Sequence, residues 1–189
     1  LDIRSIKKEI EPMKRNMTIS LAVLVLVSSG SAFAQSAPSL AQSGPWKALL
    51  GQWEGEGGGA PGQGNGWMSF AAELGGRLLV RKNHVEFPAE GGRPGSIHDD
   101  LLIVYQESTT ALRADYFDNE GHIIRYQVSA AADGQKVVFV SPVSPSAPRY
   151  RMTTILLPDD RVRITFEVAP PGKPEGFTKY TDGLARRKK

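Results

Sequence analysis

The sequence predicts an all-β protein: an antiparallel up-and-down barrel of about ten strands with a short N-terminal helix. Three observations predict it. From Gly51 onward, short runs rich in Val, Ile, Phe, Tyr and Thr recur at near-even spacing, divided by Gly, Pro, Asn and Asp turns. Within the runs, apolar and polar residues alternate. In "RVRITFEV", Val162, Ile164, Phe166 and Val168 share one face while Arg161, Arg163 and Glu167 share the other. In "HIIRYQVSA", Ile124, Tyr126 and Val128 alternate with Arg125 and Gln127. A period of two puts one set inside and the other in water. Helical periodicity is nearly absent, which argues against βαβ folds. Sequential hairpins favour an up-and-down order, and closure removes exposed strand edges.

The elements follow in order. Residues 1–12 are expected to be upstream sequence ahead of a true start at Met13. Residues 13–34 read as a secretory signal peptide: basic Lys14 and Arg15, the apolar run Thr18–Val27, then small residues ending Ala32-Phe33-Ala34, with cleavage near Ala34. Ser28 and Ser29 cut the apolar run well short of the roughly 20 residues that a bilayer needs, so no stable membrane span is expected after cleavage. A bacterial periplasmic or secreted location follows. Residues 35–45 are a small, polar lead-in, and 46–189 form the barrel domain. "PWKALLG" (Pro45–Gly51) makes a helical turn or two, with Pro at a first helical position and Gly at the end.

The strands are expected at Gln52–Gly57, Gly66–Leu74, Arg77–Phe87, Asp99–Glu107, Ala111–Phe117, His122–Ala130, Gln135–Ser141, Arg149–Leu157, Arg161–Val168 and Phe177–Arg186. The connections between them carry turn chemistry: "GG" at 75–76, "PAEGGRPGS", "DNEG", "ADG", a proline-rich loop, "PDD" and "PPGKPEG".

Composition narrows the function classes. The whole chain carries a formal charge of +3. The first 34 residues hold five basic and three acidic side chains, which leaves 18 against 17 for the remaining 155 residues. Much of the basic excess therefore sits in the leader and in the tail "ARRKK", read as a solvated strand end. No basic face for nucleic acid remains. There is no cysteine, which excludes a disulfide scaffold, a thiolate metal site and a cysteine nucleophile.

The stretch "LLGQWEGEGGGAPGQGNGW" (Leu49–Trp67) is the richest in glycine. A phosphate cradle needs a following helix and a G-K-[ST]. Here the strand "WMSFAAEL" follows, so the cradle is rejected. On a strand, Trp53 shares a face with Gly51, Gly55 and Gly57, opposite Gln52, Glu54 and Glu56. Glycine in a strand marks a bend or a close backbone approach. Trp53 is expected to plug the bottom of the barrel, with its indole N–H bonded if buried. The glycines either let the strand bend to close the barrel or leave room for a flat ligand.

"GQWEGEGGG", with "LGGRLLVRKNHVEF", "YFDNEG" and "FTKYTDGLARR", resembles nitrobindin-like barrels and exported lipocalin-like bacterial proteins of the calycin type. The resemblance covers most of residues 46–187. It implies a barrel with an interior pocket open at one end. The nitrobindin family binds haem b through an axial histidine close to the C-terminus. This chain departs there: its histidines are His84, His98 and His122, and the matching C-terminal segment offers Phe177, Tyr180 and Leu184. Tyrosine is also a known haem ligand.

Other motifs carry little chemistry. His84 and Glu86 share a face, but a zinc deaminase also needs C-x-x-C. "HDD" (His98–Asp100) reads as a polar cluster at a loop end, and Asp159-Asp160 as a turn. No G-x-S-x-G elbow occurs. No catalytic residue is assigned. Arg81 and Asn83 lie on the face of Leu79, Val85 and Phe87, and an inward arginine must be paired or meet a polar ligand head. Arg113 and Arg125 face solvent or the lumen. The candidate pocket residues are Trp53, Trp67, Arg81, Asn83, Tyr116, Tyr126 and Tyr180. The expected function is an exported barrel that binds a small apolar or amphipathic molecule without a cofactor. The alternatives are a haem protein acting on reactive nitrogen or oxygen species, and a non-catalytic interaction module of the cell envelope.

Overall fold

The computed structural model describes residues 39–57, 65–89, 92 and 94–189. The expected leader, the upstream segment and most of the loop expected between Gly58 and Gly66 lie outside the described residues. A 3₁₀ turn at Leu40–Gln42 leads into α1 (Gly44–Leu49), which carries Pro45 in its first turn. Ten strands follow: β1 Gly51–Gly55, β2 Asn65–Glu73, β3 Leu78–Phe87, β4 Ser96–Ser108, β5 Ala111–Asp118, β6 Ile123–Ala130, β7 Lys136–Val140, β8 Arg149–Leu157, β9 Arg161–Ala169 and β10 Thr178–Arg187. Each pairs antiparallel with its neighbour in sequence, and β1 pairs with β10 to close the barrel. The up-and-down order is therefore the observed one.

Most strand ends fall within a residue or two of the sequence expectation. The exception is β4, which starts at Ser96 rather than Asp99. The register runs without a break from Tyr105 opposite Leu78 to Ser96 opposite Phe87. The polar character of "HDD" does not end the strand, because its backbone groups already have partners on β3. The turn expected at Asp159-Asp160 is present, with both residues in the left-handed region (φ 60° and 53°) that Asp tolerates better than most.

One end of the barrel is sealed. Leu40, Ala41, Trp46 and Leu49 are buried against the strand residues Leu79, Val137 and Phe139 in one core. Trp46 meets Phe139 edge-on at 6.3 Å. Trp53 is 1% exposed, and its indole N–H donates to the Leu49 carbonyl at 2.8 Å. The plug and its hydrogen bond are as the sequence predicts. Gly51 makes the helix-to-strand corner at φ 113°, closed to residues with a side chain. In β2, a Cβ on Gly66 would lie 2.1 Å from the His84 carbonyl oxygen, so this glycine sits where two backbones approach.

The tail is not simply solvated. Arg187 lies opposite Trp53, with its guanidinium 4.3 Å from the indole centroid. It also donates to the carbonyls of Leu50 (2.6 Å) and Ala48. These are carbonyls at a helix C-terminus, where a cation is favoured. Arg186 and Lys188 point the other way and pair with Glu56 and Glu54.

Candidate ligand-binding site

Inward-facing residues follow from the register. The row Phe70, Arg81, Leu102, Tyr116 and Ile124 runs across five strands. The next row is Trp53, Met68, Asn83, Asp100 and Asp118. Strands in a barrel are tilted, so a row that starts at the floor climbs toward the mouth. Trp53 thus belongs to the floor, while Asp100 and Asp118 stand higher.

The centre of the site is a buried ion pair. Arg81 Nη2 binds Asp100 Oδ1, with both side chains at most 5% exposed. Asn83 Nδ2 donates to Asp100 Oδ2 at 2.9 Å. His98 lies above, its Nε2 at 3.1 Å from the Tyr116 hydroxyl and 3.5 Å from Asp100 Oδ2. Its Nδ1 meets Glu120 Oε1 at 3.1 Å, at the rim. Asp118 accepts from the backbone N–H groups of Glu120 and His122 and from the His122 ring at 2.8 Å.

These contacts set the charges. The hydrogen bond to Asp100 outweighs burial and, with Glu120, raises the His98 pKa to about 9. The imidazolium is thus the form present at neutral pH. Burial works to raise Asp100, but the Arg81 charge and the His98 hydrogen bond overcome it and hold the carboxyl below its usual range. Burial pushes the Tyr116 and Tyr126 hydroxyls up, so both stay protonated.

The mouth side opens toward β8–β10. Tyr150 and Phe166 stack at 5.9 Å with 19° between their planes. These residues share the inward parity of buried Met152 and Val162, yet they are half-exposed, as are Ile164 and Thr181. At the α1 end Leu79, Val137, Phe139 and Val162 are fully buried, although Leu112, Val128 and Leu156 there are half-buried like Tyr150 and Phe166.

The structure sorts the sequence-predicted residues clearly. Arg81, Asn83, Tyr116 and Tyr126 come together in the lumen. Trp53 is a floor plug, and with Trp67, Met68 and His84 it also lines a cavity of about 630 Å³. Trp67 is 47% exposed on the outer surface, because Met68 and Phe70 take the inward parity of β2. It stacks on His84, whose ring also meets Asp99 at 2.7 Å and Glu86 at 3.1 Å. Tyr180 is 78% exposed. A register shift between Lys179 and Thr181 leaves it without a partner on β9 and takes it out of the inward alternation. It meets Phe166 edge-on at 6.2 Å. Arg113 and Arg125 lie on the outer parity of β5 and β6. His98, Asp100 and Asp118 were missed. Counting back by twos from Leu102 and Val104 reaches Asp100 and His98, a signal that the loop assignment masked.

Of the residues that could ligate haem iron, His98 has both ring nitrogens engaged, His84 is on the outer surface and Tyr180 is turned out of the lumen. Among the described residues, no three His, Cys, Asp or Glu side chains are grouped to hold a metal ion. No helix among them is long and apolar enough to cross a membrane. No protein-family model matches the chain, and no curated protein is similar to it.

Proposed function

We propose that this chain is an exported, lipocalin-like barrel that binds a small, mostly apolar molecule in the open half of its lumen. The observation that carries this reading is the contrast in exposure between inward residues. Val162, Leu79 and Trp53 are sealed at the α1 end, whereas Tyr150, Phe166 and His98 are reached by solvent at the other. A barrel of this strand number is wide enough to hold a ligand in place of a filled core. We place the ligand in the open half, because Trp46, Trp53 and Phe139 fill the α1 half.

Export rests on the leader-like sequence from Met13 to Ala34. Amino-terminal sequencing of the protein recovered from the periplasm or medium checks it: the mature chain begins at about Gln35. Native mass spectrometry of protein purified from its own host tests the binding reading. The expected result is a bound mass of a few hundred daltons, released on denaturation. A bare protein mass, with no uptake of apolar molecules, overturns it.

The envelope-module reading draws support from a different place. Phe117 and Ile123 face each other across β5 and β6 on the outer surface, both exposed. A co-purifying protein in place of a small molecule favours that reading.

A further inference from the structure

A hollow lies in the barrel wall where β1 and β2 part. The two strands pair from Gly51 opposite Phe70 up to Glu54 opposite Trp67. Beyond that, Gly55 stays with Ala185 on β10, and the Glu56 N–H donates to the Leu184 carbonyl at 2.7 Å. Gly66 stays with Val85 on β3, pressed so close that a Cβ would meet the His84 carbonyl oxygen. The cavity of about 630 Å³ lies between these diverging strands, and its size is that of a small-molecule site.

The register sets its lining. An outward row runs Glu54, Trp67, His84 and Asp99 across β1 to β4. His84 stacks on one side of the Trp67 indole at 5.9 Å. Among the described residues, no other ring and no Arg or Lys cation lies over that indole. Its row neighbour on the other side is the Glu54 carboxylate, and Glu86 stands beside His84 at 3.1 Å. Even with His84 counted as a cation, Glu54, Glu86 and Asp99 outnumber His84 and Lys188. Lys82 sits one step lower, opposite Ser69 and off the lining, and Arg186 is paired with Glu56. Lys188 reaches Glu54 at 3.0 Å, but both side chains are more than half exposed, and such a pair is worth little. A guest cation therefore displaces Lys188 with small loss. Met68 and Trp53 add apolar surface.

We infer that this hollow binds a quaternary ammonium ion, its cationic head against the Trp67 indole between Glu54 and Glu86. The ring face attracts the charge, the carboxylates balance it, and the alkyl groups on nitrogen lie against ring and thioether. A quaternary head suits the site because its charge is spread over apolar groups. The site goes beyond the lumen reading above and does not rest on it.

The test is titration of the full chain with choline and, separately, with 3,3-dimethylbutan-1-ol, its neutral isostere, at constant ionic strength. Calorimetry gives the affinities, and the tryptophan indole N–H resonances give the place. Choline is expected to move the Trp67 signal saturably, leave that of buried Trp46 unmoved, and bind about tenfold more tightly than the alcohol. The double variant Glu54→Gln/Glu86→Gln keeps the shape of the lining and removes two charges. It is expected to weaken choline about tenfold and to leave the alcohol within about twofold. Trp67→Leu, a change on the outer surface, is expected to weaken choline about tenfold as well. Equal binding of choline and the alcohol, or no saturable shift at Trp67, overturns the inference. So does an unchanged choline affinity in either variant, which places the bound cation elsewhere.

Discussion

The two ends of the barrel are built on opposite principles. At the α1 end, Trp46, Leu49, Trp53 and Phe139 close the lumen with apolar volume; the Trp53 N–H is satisfied by the Leu49 carbonyl and the last helix carbonyls by Arg187. At the open end, the inward positions carry Arg81, Asn83, His98 and Asp100, linked by hydrogen bonds and charge. The difference is the ground for placing the proposed function at the open end. A floor needs only to exclude water and fill space. A buried ion pair gains little stability over well-packed apolar residues, so its presence at one end alone points to a task other than holding the fold.

This contrast is breakable. At the floor, Trp53→Ala is expected to cost about 3–5 kcal/mol, because it empties a sealed volume; urea unfolding measures it. At the mouth, Arg81→Met should cost about 3–5 kcal/mol for a different reason, since Asp100 is left buried without its counter-charge. The double variant Arg81→Met/Asp100→Leu separates the two mechanisms. It is expected to recover most of that loss, whereas no second polar substitution restores Trp53→Ala.

A smaller effect comes from pH. His98 gains its partners in the folded state, so its pKa rises from 6.5 to about 9. The stability that it contributes is complete below pH 6.5 and is lost as pH climbs through 9. The Tm of wild type should therefore fall over that window, and the fall should shrink in His98→Gln. The smallest effects are expected on the outer surface: Trp67→Ala and Tyr180→Ser should each change stability by less than about 0.5 kcal/mol. A large loss at either position would place it in the packed interior after all.

The fold was legible in the sequence because a period of two is a strong local signal, repeated ten times and punctuated by turn residues. The plug at Trp53 was legible for the same reason: its glycine neighbours set the parity and the indole demanded a partner. Arg81 and Asn83 were found by parity along β3. Tyr180 was misplaced because a register shift breaks parity where nothing local announces it. Asp100 and His98 were missed because "HDD" beside a Gly/Pro loop has the composition of a turn, while its pairing with β3 is a long-range fact. Trp67 was read as a pocket candidate; its parity on β2 points outward, where it stacks on His84.

The most direct test of the central claim, that the open half of the lumen holds a small molecule, is a crystal structure of the protein purified from its own host. The expected result is continuous density in the open half of the lumen, along Tyr150 and Phe166. A lumen filled by side chains, with no such density, would contradict it.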